Sequence, residues 1–177
     1  MKRYVTHLLL LPAVFFLTMS SCHKDEPKPD LVPITTKGAN TMGFYVDGVP
    51  HNKKGQSTWS SVYGVRGGIN KDYILHLFGG GGNPNITIVI DLKMDINFPL
   101  QEYDLNGSDY YDNRISIIDD TPLGGQQYIC DSLHTGKLTL LKVETDMAAG
   151  TFYFDAVNPE TGKVIHITDG RFDIQFF

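Results

Sequence analysis

Alternation of apolar and polar side chains is the feature that most limits what this chain can fold into. Within residues 86–94, every second position is a large apolar residue, from Ile86 to Met94. Successive side chains of a β-strand point to opposite faces, so this pattern predicts a strand with one face in a core. Similar short alternations recur along the chain between turn-forming residues, and no amphipathic helical spacing accompanies them. The sequence therefore predicts an all-β protein.

Two predicted turns near the C-terminus define the register of the strands beside them. A four-residue loop at residues 159–162 places Phe154 opposite Ile167, and a two-residue loop at Asp169 and Gly170 places Ile165 opposite Ile174. A one-residue slip in either turn would move half of the apolar residues into water. Both registers put the same six apolar residues on one face: Phe154, Ala156, Ile165, Ile167, Phe172 and Ile174.

About nine short strands with turn signals between them indicate a single antiparallel, meander-rich domain. Asp47 and Gly48 predict another hairpin, residues 79–82 predict a glycine loop, and a change of alternation after Leu140 predicts a β-bulge. A β-sandwich and a flattened barrel both satisfy this pattern, and the sequence leaves the two alternatives open.

The N-terminus has the three parts of a secretory signal peptide. Lys2 and Arg3 give the positive start, residues 8–17 give the apolar core, and small residues precede Cys22. The apolar core is shorter than the roughly 20 residues of a transmembrane helix. Residues 19–22 resemble the lipobox of bacterial lipoproteins, which implies that Cys22 becomes the lipid-modified first residue of the mature chain.

These features divide the chain into a signal peptide (1–21), a lipidated flexible tether (22–40) and a β-domain (41–177). The charged residues 24–26 resemble the export signal of Bacteroidota surface lipoproteins, which favours the outer membrane and its cell-surface side over the periplasmic side. The mature chain keeps 13 basic and 20 acidic side chains, a formal charge of −7, which argues against nucleic acid as a partner. The predicted partners are the membrane, through the lipid on Cys22, and a glycan or another envelope protein.

Four segments resemble those of a family of uncharacterised Bacteroidota lipoproteins. They are GFYVDGVP at 43–50, GTFYF at 150–154, NPETG at 158–162 and ITDGRFD at 167–173. Members often carry Trp just after the first hairpin, where this chain has His51. The family implies no known activity, ligand or catalytic residues, so no functional residue is carried over.

The predicted register creates one polar constellation on the face opposite the core. His166 lies between Asp155 and Asp173, and such an imidazole could act as a base or a metal ligand. A catalytic metal needs about three ligands that converge, whereas these lie in a flat row. We therefore interpret the row as a cross-strand charge pair contributing a few tenths of a kcal/mol. The neighbouring row receives the same interpretation and consists of Tyr153, Thr168 and Arg171.

Aromatic residues outside the predicted core are candidates for ligand binding. Exposed rings can stack on sugar faces, although tyrosine is also common in ordinary strands. Residues 131–133 resemble the short O-glycosylation signal of exported Bacteroidota proteins, which implies a sugar on Ser132. Cys130 is interpreted as a small buried residue. The candidate ligand-binding aromatic residues are Trp59, Tyr103, Tyr110 and Tyr111.

The leading hypothesis is a non-enzymatic, lipid-anchored protein of the outer envelope whose β-domain is a binding or structural module. No nucleophile elbow, phosphate loop or histidine metal motif occurs in the sequence, and neither a cofactor nor a metal is predicted. Glycan binding through the loop that contains Tyr103, Tyr110 and Tyr111 is the second hypothesis. A hydrolase or metal-dependent enzyme built on His166 is the third.

Lipidation of Cys22 predicts that cells expressing this chain incorporate labelled fatty acid at that residue. Replacement Cys22→Ala removes the only thiol at the predicted lipidation position, so labelling should be lost, whereas Cys130→Ala should keep it. The measurement is metabolic labelling followed by mass spectrometry of the N-terminal peptide. A mature chain that begins elsewhere and carries no acyl mass would contradict the prediction.

Overall fold

The computed structural model describes residues 30–58, 61, 63–82, 85–95, 97, 99–107, 113–120 and 125–176. Within these ranges the chain is built from β-strands and turns, and it contains no helix. The eleven strands are β1 (Thr41–Val46), β2 (Val49–Lys54), β3 (Gly64–Ile69), β4 (Ile74–Gly80), β5 (Ile86–Lys93), β6 (Glu102–Leu105), β7 (Ile115–Asp119), β8 (Gln126–Ile129), β9 (Gly136–Glu144), β10 (Met147–Val157) and β11 (Val164–Gln175).

Nine strands form one antiparallel sheet in the order β2-β1-β11-β10-β8-β7-β5-β4-β3. Its two edges meet just after β2, where the Val65 amide donates to the Gly55 carbonyl at 2.8 Å and the Val65 carbonyl accepts from the Ser57 amide at 2.7 Å. The sheet is therefore nearly closed and barrel-like, so the flattened barrel is the predicted alternative that the chain adopts. β9 pairs with β10 and β6 pairs with β9, which forms a side branch.

Several local predictions are confirmed. Asp47 and Gly48 join β1 to β2 with φ values of +48° and +82°, the two positive values that a type I′ turn requires. Phe154 pairs with Ile167 across the loop between β10 and β11, as the predicted register requires. The register of β9 against β10 shifts directly after Leu140, which confirms the predicted bulge.

The predicted hairpin at Asp169 and Gly170 is wrong. β11 continues through both residues and bonds to β10 on one edge and to β1 on the other. Phe152 pairs with Gly170 and Phe154 with Ile167, so two residues of β11 lie opposite one residue of β10, which defines a β-bulge. Asp169 has a φ of +53°. A Cβ at Gly170 would lie 2.3 Å from the Phe152 ring, so the close approach requires glycine.

The glycine run at residues 79–82 also differs from its prediction as a loop. Gly79 and Gly80 belong to β4, and the turn begins at Gly81. Gly79 faces the opposite wall of the barrel, where a Cβ would lie 2.5 Å from the Met42 sulphur. Glycine therefore allows the two walls to pack closely at this end of the barrel.

The barrel interior is an apolar core. All six residues that were predicted to share one face of β10 and β11 are at most 4% exposed. Phe152 is the centre of an aromatic group, with ring centroids 6.0 to 6.4 Å from those of Phe44, Phe154 and Phe172. Tilted or offset rings at such separations contribute about 0.5–1.5 kcal/mol per pair beyond the area that they bury.

Residues 30–40 belong to the folded domain, which corrects the prediction that they are part of a flexible tether. The Val32 side chain is 5% exposed, and its amide donates to the Asn52 side chain at 2.8 Å. A Cβ at Gly43 would lie 2.8 Å from Val32, so the segment runs closely over the outer face of β1. The ordered domain therefore includes this N-terminal segment.

A buried carboxylate fixes the other end of that segment. Asp173 is 1% exposed and accepts hydrogen bonds from the Thr35 hydroxyl at 2.5 Å and from the amides of Lys37 at 3.1 Å and Gly38 at 2.7 Å. Burial by itself would raise the pKa of Asp173, but these hydrogen bonds outweigh it and lower the pKa below its ordinary value. The carboxylate is therefore a charged link between β11 and the N-terminal segment.

Replacement Asp173→Asn should lower the free energy of unfolding at pH 7 by about 2–3 kcal/mol, because the amide nitrogen would face hydrogen-bond donors. A carboxyl group with a lowered folded pKa stabilises the fold above its unfolded pKa of about 3.9, and this stabilisation is lost as the pH falls through the folded pKa. The variant should therefore lose less stability than the wild type on acidification below pH 4. Urea unfolding between pH 2 and 7 measures both effects.

The exposed Asp146 offers a matched control, since Asp146→Asn makes the same chemical change on the surface. This control should stay within about 0.5 kcal/mol of the wild type. Equal stabilities of the Asp173→Asn and Asp146→Asn proteins at pH 7 would contradict the role assigned to Asp173.

Candidate functional site

The structure separates the predicted polar trio. His166 and Asp155 pair as predicted, with 2.7 Å between Nδ1 and Oδ1, and their side chains are 61% and 49% exposed. Asp173 lies seven residues further along β11, at most about 23 Å away at roughly 3.3 Å per residue. The prediction that Asp173 flanks His166 is wrong because β11 does not turn back at the bulge.

Asp47 takes the place that was predicted for Asp173. Its carboxylate accepts the His166 amide at 2.8 Å, and its own amide donates to the His166 carbonyl at 2.9 Å. The hydrogen bond to Asp155 raises the pKa of His166, and the charge of Asp47 adds a smaller contribution in the same direction. The group has the properties of an exposed cross-strand charge pair. The sequence analysis assigned Asp47 only to a turn and so missed this contact.

A cleft of about 250 Å³ lies on the outer face of β9, β10 and β11. The three strands contribute Thr139, Thr151 and Arg171 in one cross-strand row, and Lys137 and Tyr153 in the next. The lining is completed by Ile34, Phe152, Asp169 and Gly170. The bulge in β11 therefore forms part of the cleft, and two members of the predicted row, Tyr153 and Arg171, meet in it.

The cleft presents an aromatic ring beside hydrogen-bonding groups. Tyr153 is 54% exposed, so much of this large apolar side chain faces solvent. The hydroxyls of Thr139 and Thr151 have no hydrogen-bond partner among the residues that the structure describes. Threonine hydroxyls both donate and accept, so this row can bond to a polar ligand in either sense.

The two cations of the cleft have different partners. Lys137 makes ion pairs with Asp104 at 2.7 Å and Glu102 at 3.1 Å, and the hydrogen bonds to these carboxylates raise the pKa of Lys137. Arg171 donates through Nε to the main-chain carbonyl of Asp169 at 3.0 Å. Across the described ranges, no carboxylate pairs with the Arg171 guanidinium.

The N-terminal segment supplies one wall of the cleft. Ile34 lines it with a side chain that is 53% exposed, and the next residue, Thr35, is held by Asp173. The cleft thus combines side chains from three strands with one from a segment distant in sequence. The cleft could not be found from the sequence, because neither Ile34 nor the β9 residues Lys137 and Thr139 were assigned to this face.

The barrel interior holds an unexpected lysine. Lys53 on β2 is 3% exposed and lies beside Met42, and its ammonium donates to the main-chain carbonyl of Gly81. Burial lowers the pKa of Lys53 to about 8. A buried ammonium with an amine fraction near neutral pH is a potential nucleophile.

His51 lies next to this lysine in the barrel. It is 7% exposed and stacks on Phe44, with ring centroids 5.6 Å apart. Burial and the charge of Lys53 lower the pKa of His51, while Asp119 opposes them with a smaller effect. His51 is therefore a packed interior imidazole, and its alternation with Lys53 on β2 is the signal that could have placed both inside.

A second charged cluster links three strands on the outer face. Asp91 is fully buried and bonds to the imidazole Nδ1 of His76 and to the Arg114 guanidinium, with Nη2 at 2.6 Å and Nε at 3.0 Å. A buried carboxylate bonded to both an imidazole and a guanidinium fits a structural clamp that joins β4, β5 and the residue preceding β7. The sequence analysis missed it because Gly79 and Gly80 were assigned to a loop, which hid the register that pairs His76 with Asp91.

One of the predicted aromatic binding residues, Tyr103, is buried. Tyr103 is 8% exposed and donates its hydroxyl to the Pro99 carbonyl at 2.8 Å, so the expectation that it lies outside the core is wrong. Burial raises the pKa of Tyr103. The predictions for Trp59, Tyr110 and Tyr111 fall outside the described residues, as does that for Cys22.

The remaining candidates lie on the turn between β8 and β9. Ser132 is exposed there, beside Leu133, which is 85% exposed. Asp131 holds the turn by accepting the amides of Leu133 at 2.8 Å and His134 at 2.7 Å. Cys130 is fully buried, as predicted, and burial raises the pKa of its thiol to about 12, so little thiolate forms near neutral pH.

The described part of the chain contains neither a metal-binding cluster nor a membrane-spanning helix. No group of three or more His, Cys, Asp or Glu side chains there is arranged to hold a metal ion. The same residues include no helix with the length and apolar character to cross a bilayer.

The pKa of Lys53 predicts an alkaline gain in stability. Because burial lowers its folded pKa from 10.5 to about 8, the folded state releases a proton more easily than the unfolded state. Stability should therefore rise between about pH 8 and pH 10.5, by roughly 3 kcal/mol. Replacement Lys53→Met should remove this rise, while Lys54→Met, at the exposed next position, should keep it. Urea unfolding across this pH range measures the effect, and identical profiles for the two variants would contradict it.

No family model, curated protein or solved structure matches this chain. Among the side-chain groups described above, the outer-face cleft is the concave surface that combines an exposed ring, hydroxyls and a guanidinium.

Proposed function

We propose that this protein is a lipid-anchored lipoprotein of the outer envelope, on the cell-surface side, whose β-domain is a non-catalytic module that binds a glycan. The observation that carries the proposal is the cleft on β9, β10 and β11, where Tyr153 stands beside the hydroxyls of Thr139 and Thr151. An aromatic ring can cover the apolar face of a sugar while hydroxyl groups bond to its edge. The signal peptide and the lipobox at Cys22 support the location.

The size of the cleft favours the binding of one unit of a longer ligand. Sites that bury most of a small molecule usually measure roughly 300–1,000 Å³, and this cleft measures about 250 Å³. It is also open along the surface of the sheet. A polymer could therefore place one unit against Tyr153 and extend on both sides into solvent.

The fold supports binding by a preorganised surface. The cleft side chains from β9, β10 and β11 stand on paired strands, and Ile34 is positioned by the bond between Thr35 and Asp173. A ligand that meets such a surface loses little affinity to the ordering of the protein. This rigidity fits a module that captures a ligand without a conformational change.

Replacement Tyr153→Ala should weaken glycan binding about 3- to 10-fold, because an aromatic stacking contact contributes roughly 0.5–1.5 kcal/mol. The measurement is retardation of the full chain, in non-ionic detergent, on gels that contain members of a broad polysaccharide panel. Tyr63→Ala is the matched control, since Tyr63 is 65% exposed but does not line the cleft.

Two outcomes would change the proposal. Unchanged migration of the wild-type protein across the whole panel would end it. If the double variant Tyr110→Ala with Tyr111→Ala loses retardation while Tyr153→Ala keeps it, glycan binding belongs to that loop and not to the cleft.

A further inference from the structure

We propose that the cleft selects an acidic glycan, one that carries carboxylate groups on its sugar units, and that Arg171 is the residue that recognises the carboxylate. This inference rests on the proposed glycan binding and names the class of glycan. It follows from the position of one guanidinium, the pairing of its neighbours, and the kind of surface on which it stands.

A hydrogen bond to the main chain orients the Arg171 side chain. This residue follows the bulge of β11 and pairs with Thr151 on β10 and Gly43 on β1. Its Nε donates to the Asp169 carbonyl at 3.0 Å. This bond uses the Nε edge of the planar group, and the two terminal nitrogens make no hydrogen bond to the residues that the structure describes. Parallel N–H groups of this kind match the two oxygens of a carboxylate.

The two cations of the cleft differ in their pairing. Lys137 is already paired with Glu102 and Asp104, so little of its charge is available to a ligand. Arg171 has no ion pair with any described carboxylate, although Asp169 also lines the cleft. Arg171 is therefore the cation of this cleft whose guanidinium is not paired with a carboxylate of the described residues, within an otherwise acidic protein.

The position of the cleft in the sheet separates a glycan from an acidic peptide. Peptides that bind to sheets commonly add a strand to an open edge. The cleft lies instead on the face of strands that are paired with one another, and β6 covers the edge of β9 at Thr139. Main-chain groups are therefore not available to a peptide strand here. An exposed ring and a row of hydroxyls suit a ligand with both hydroxyl groups and a flat apolar face.

The test compares two polymers with the same backbone. Polygalacturonate carries a carboxylate on each sugar, and its methyl-esterified form masks those carboxylates. The full chain in non-ionic detergent should bind polygalacturonate at least about tenfold more tightly at low salt, since a bidentate charged pair is a strong contact. Higher ionic strength should reduce this preference.

Variants at one position then assign the preference to a residue. Arg171→Gln should abolish the preference and leave weak, equal binding to both polymers. Arg171→Lys should restore it in part, because the charge remains but the two-pronged geometry is lost. Lys71→Gln, a change of the same charge at an exposed turn, should behave as wild type. Circular dichroism and thermal unfolding report whether each variant is folded, and the polymer comparison on the wild type needs no variant.

Three other outcomes would each overturn a defined part of the proposal. Equal binding of the wild type to both polymers, with a loss in Tyr153→Ala, would refute acidic selection and leave glycan binding in place. Absence of binding to both polymers and to every other polysaccharide would refute the proposed function itself. Binding of polyglutamate as tight as that of polygalacturonate, and equally dependent on Arg171, would show that a carboxylate is recognised on a peptide and would overturn the glycan assignment.

Discussion

The β-bulge of β11 is the constraint on which the rest of this structure depends. At the bulge, β11 has one more residue than its neighbouring strands. Because of this extra residue, Phe172 and Ile174 point to the same interior face as Ile167. Without it, the second half of the strand would turn its apolar side chains towards water. The same bulge brings Asp169 and Arg171 to the outer face. Core formation and the shape of the cleft therefore share one local backbone feature.

Buried charges are the second organising element, and their partners explain their different behaviour. Asp91 has an imidazole and a guanidinium as neighbours, and Asp173 has a hydroxyl and several amides as donors. Lys53 has one carbonyl acceptor among the described residues. Hydrogen bonds to the charged form thus lower the pKa of Asp173, whereas burial dominates at Lys53 and lowers its pKa in favour of the neutral amine.

The sequence predicted most local features correctly. Its predictions failed where one pattern of residues is compatible with two different backbone structures. The turns after Val46 and Val157 were predictable because their residues determine the backbone locally. At Asp169 and Gly170, a hairpin and a bulge both change the alternation of apolar residues by one position. The sequence could not distinguish them, because the decision depends on β1, which pairs with the other edge of β11. Closure between β3 and the end of β2 is equally non-local. Ile34 is also distant in sequence from the strands of the cleft. The predicted row therefore included Tyr153 and Arg171 but not Ile34.

The N-terminal segment connects the proposed anchor to the proposed binding surface. Residues from Cys22 to Asp30 can span at most about 28 Å when fully extended, so a lipid on Cys22 would keep the domain near the membrane. The chain then continues over β1 to Ile34, which is a wall of the cleft, and to Thr35, which bonds to Asp173. A pull on such an anchor would first load the hydrogen bond between Val32 and Asn52 and then the one between Thr35 and the buried Asp173. A ligand held in the cleft would load the same strand, β11, from its outer face. With the proposed anchor and ligand in place, the strand with the bulge would carry part of both forces.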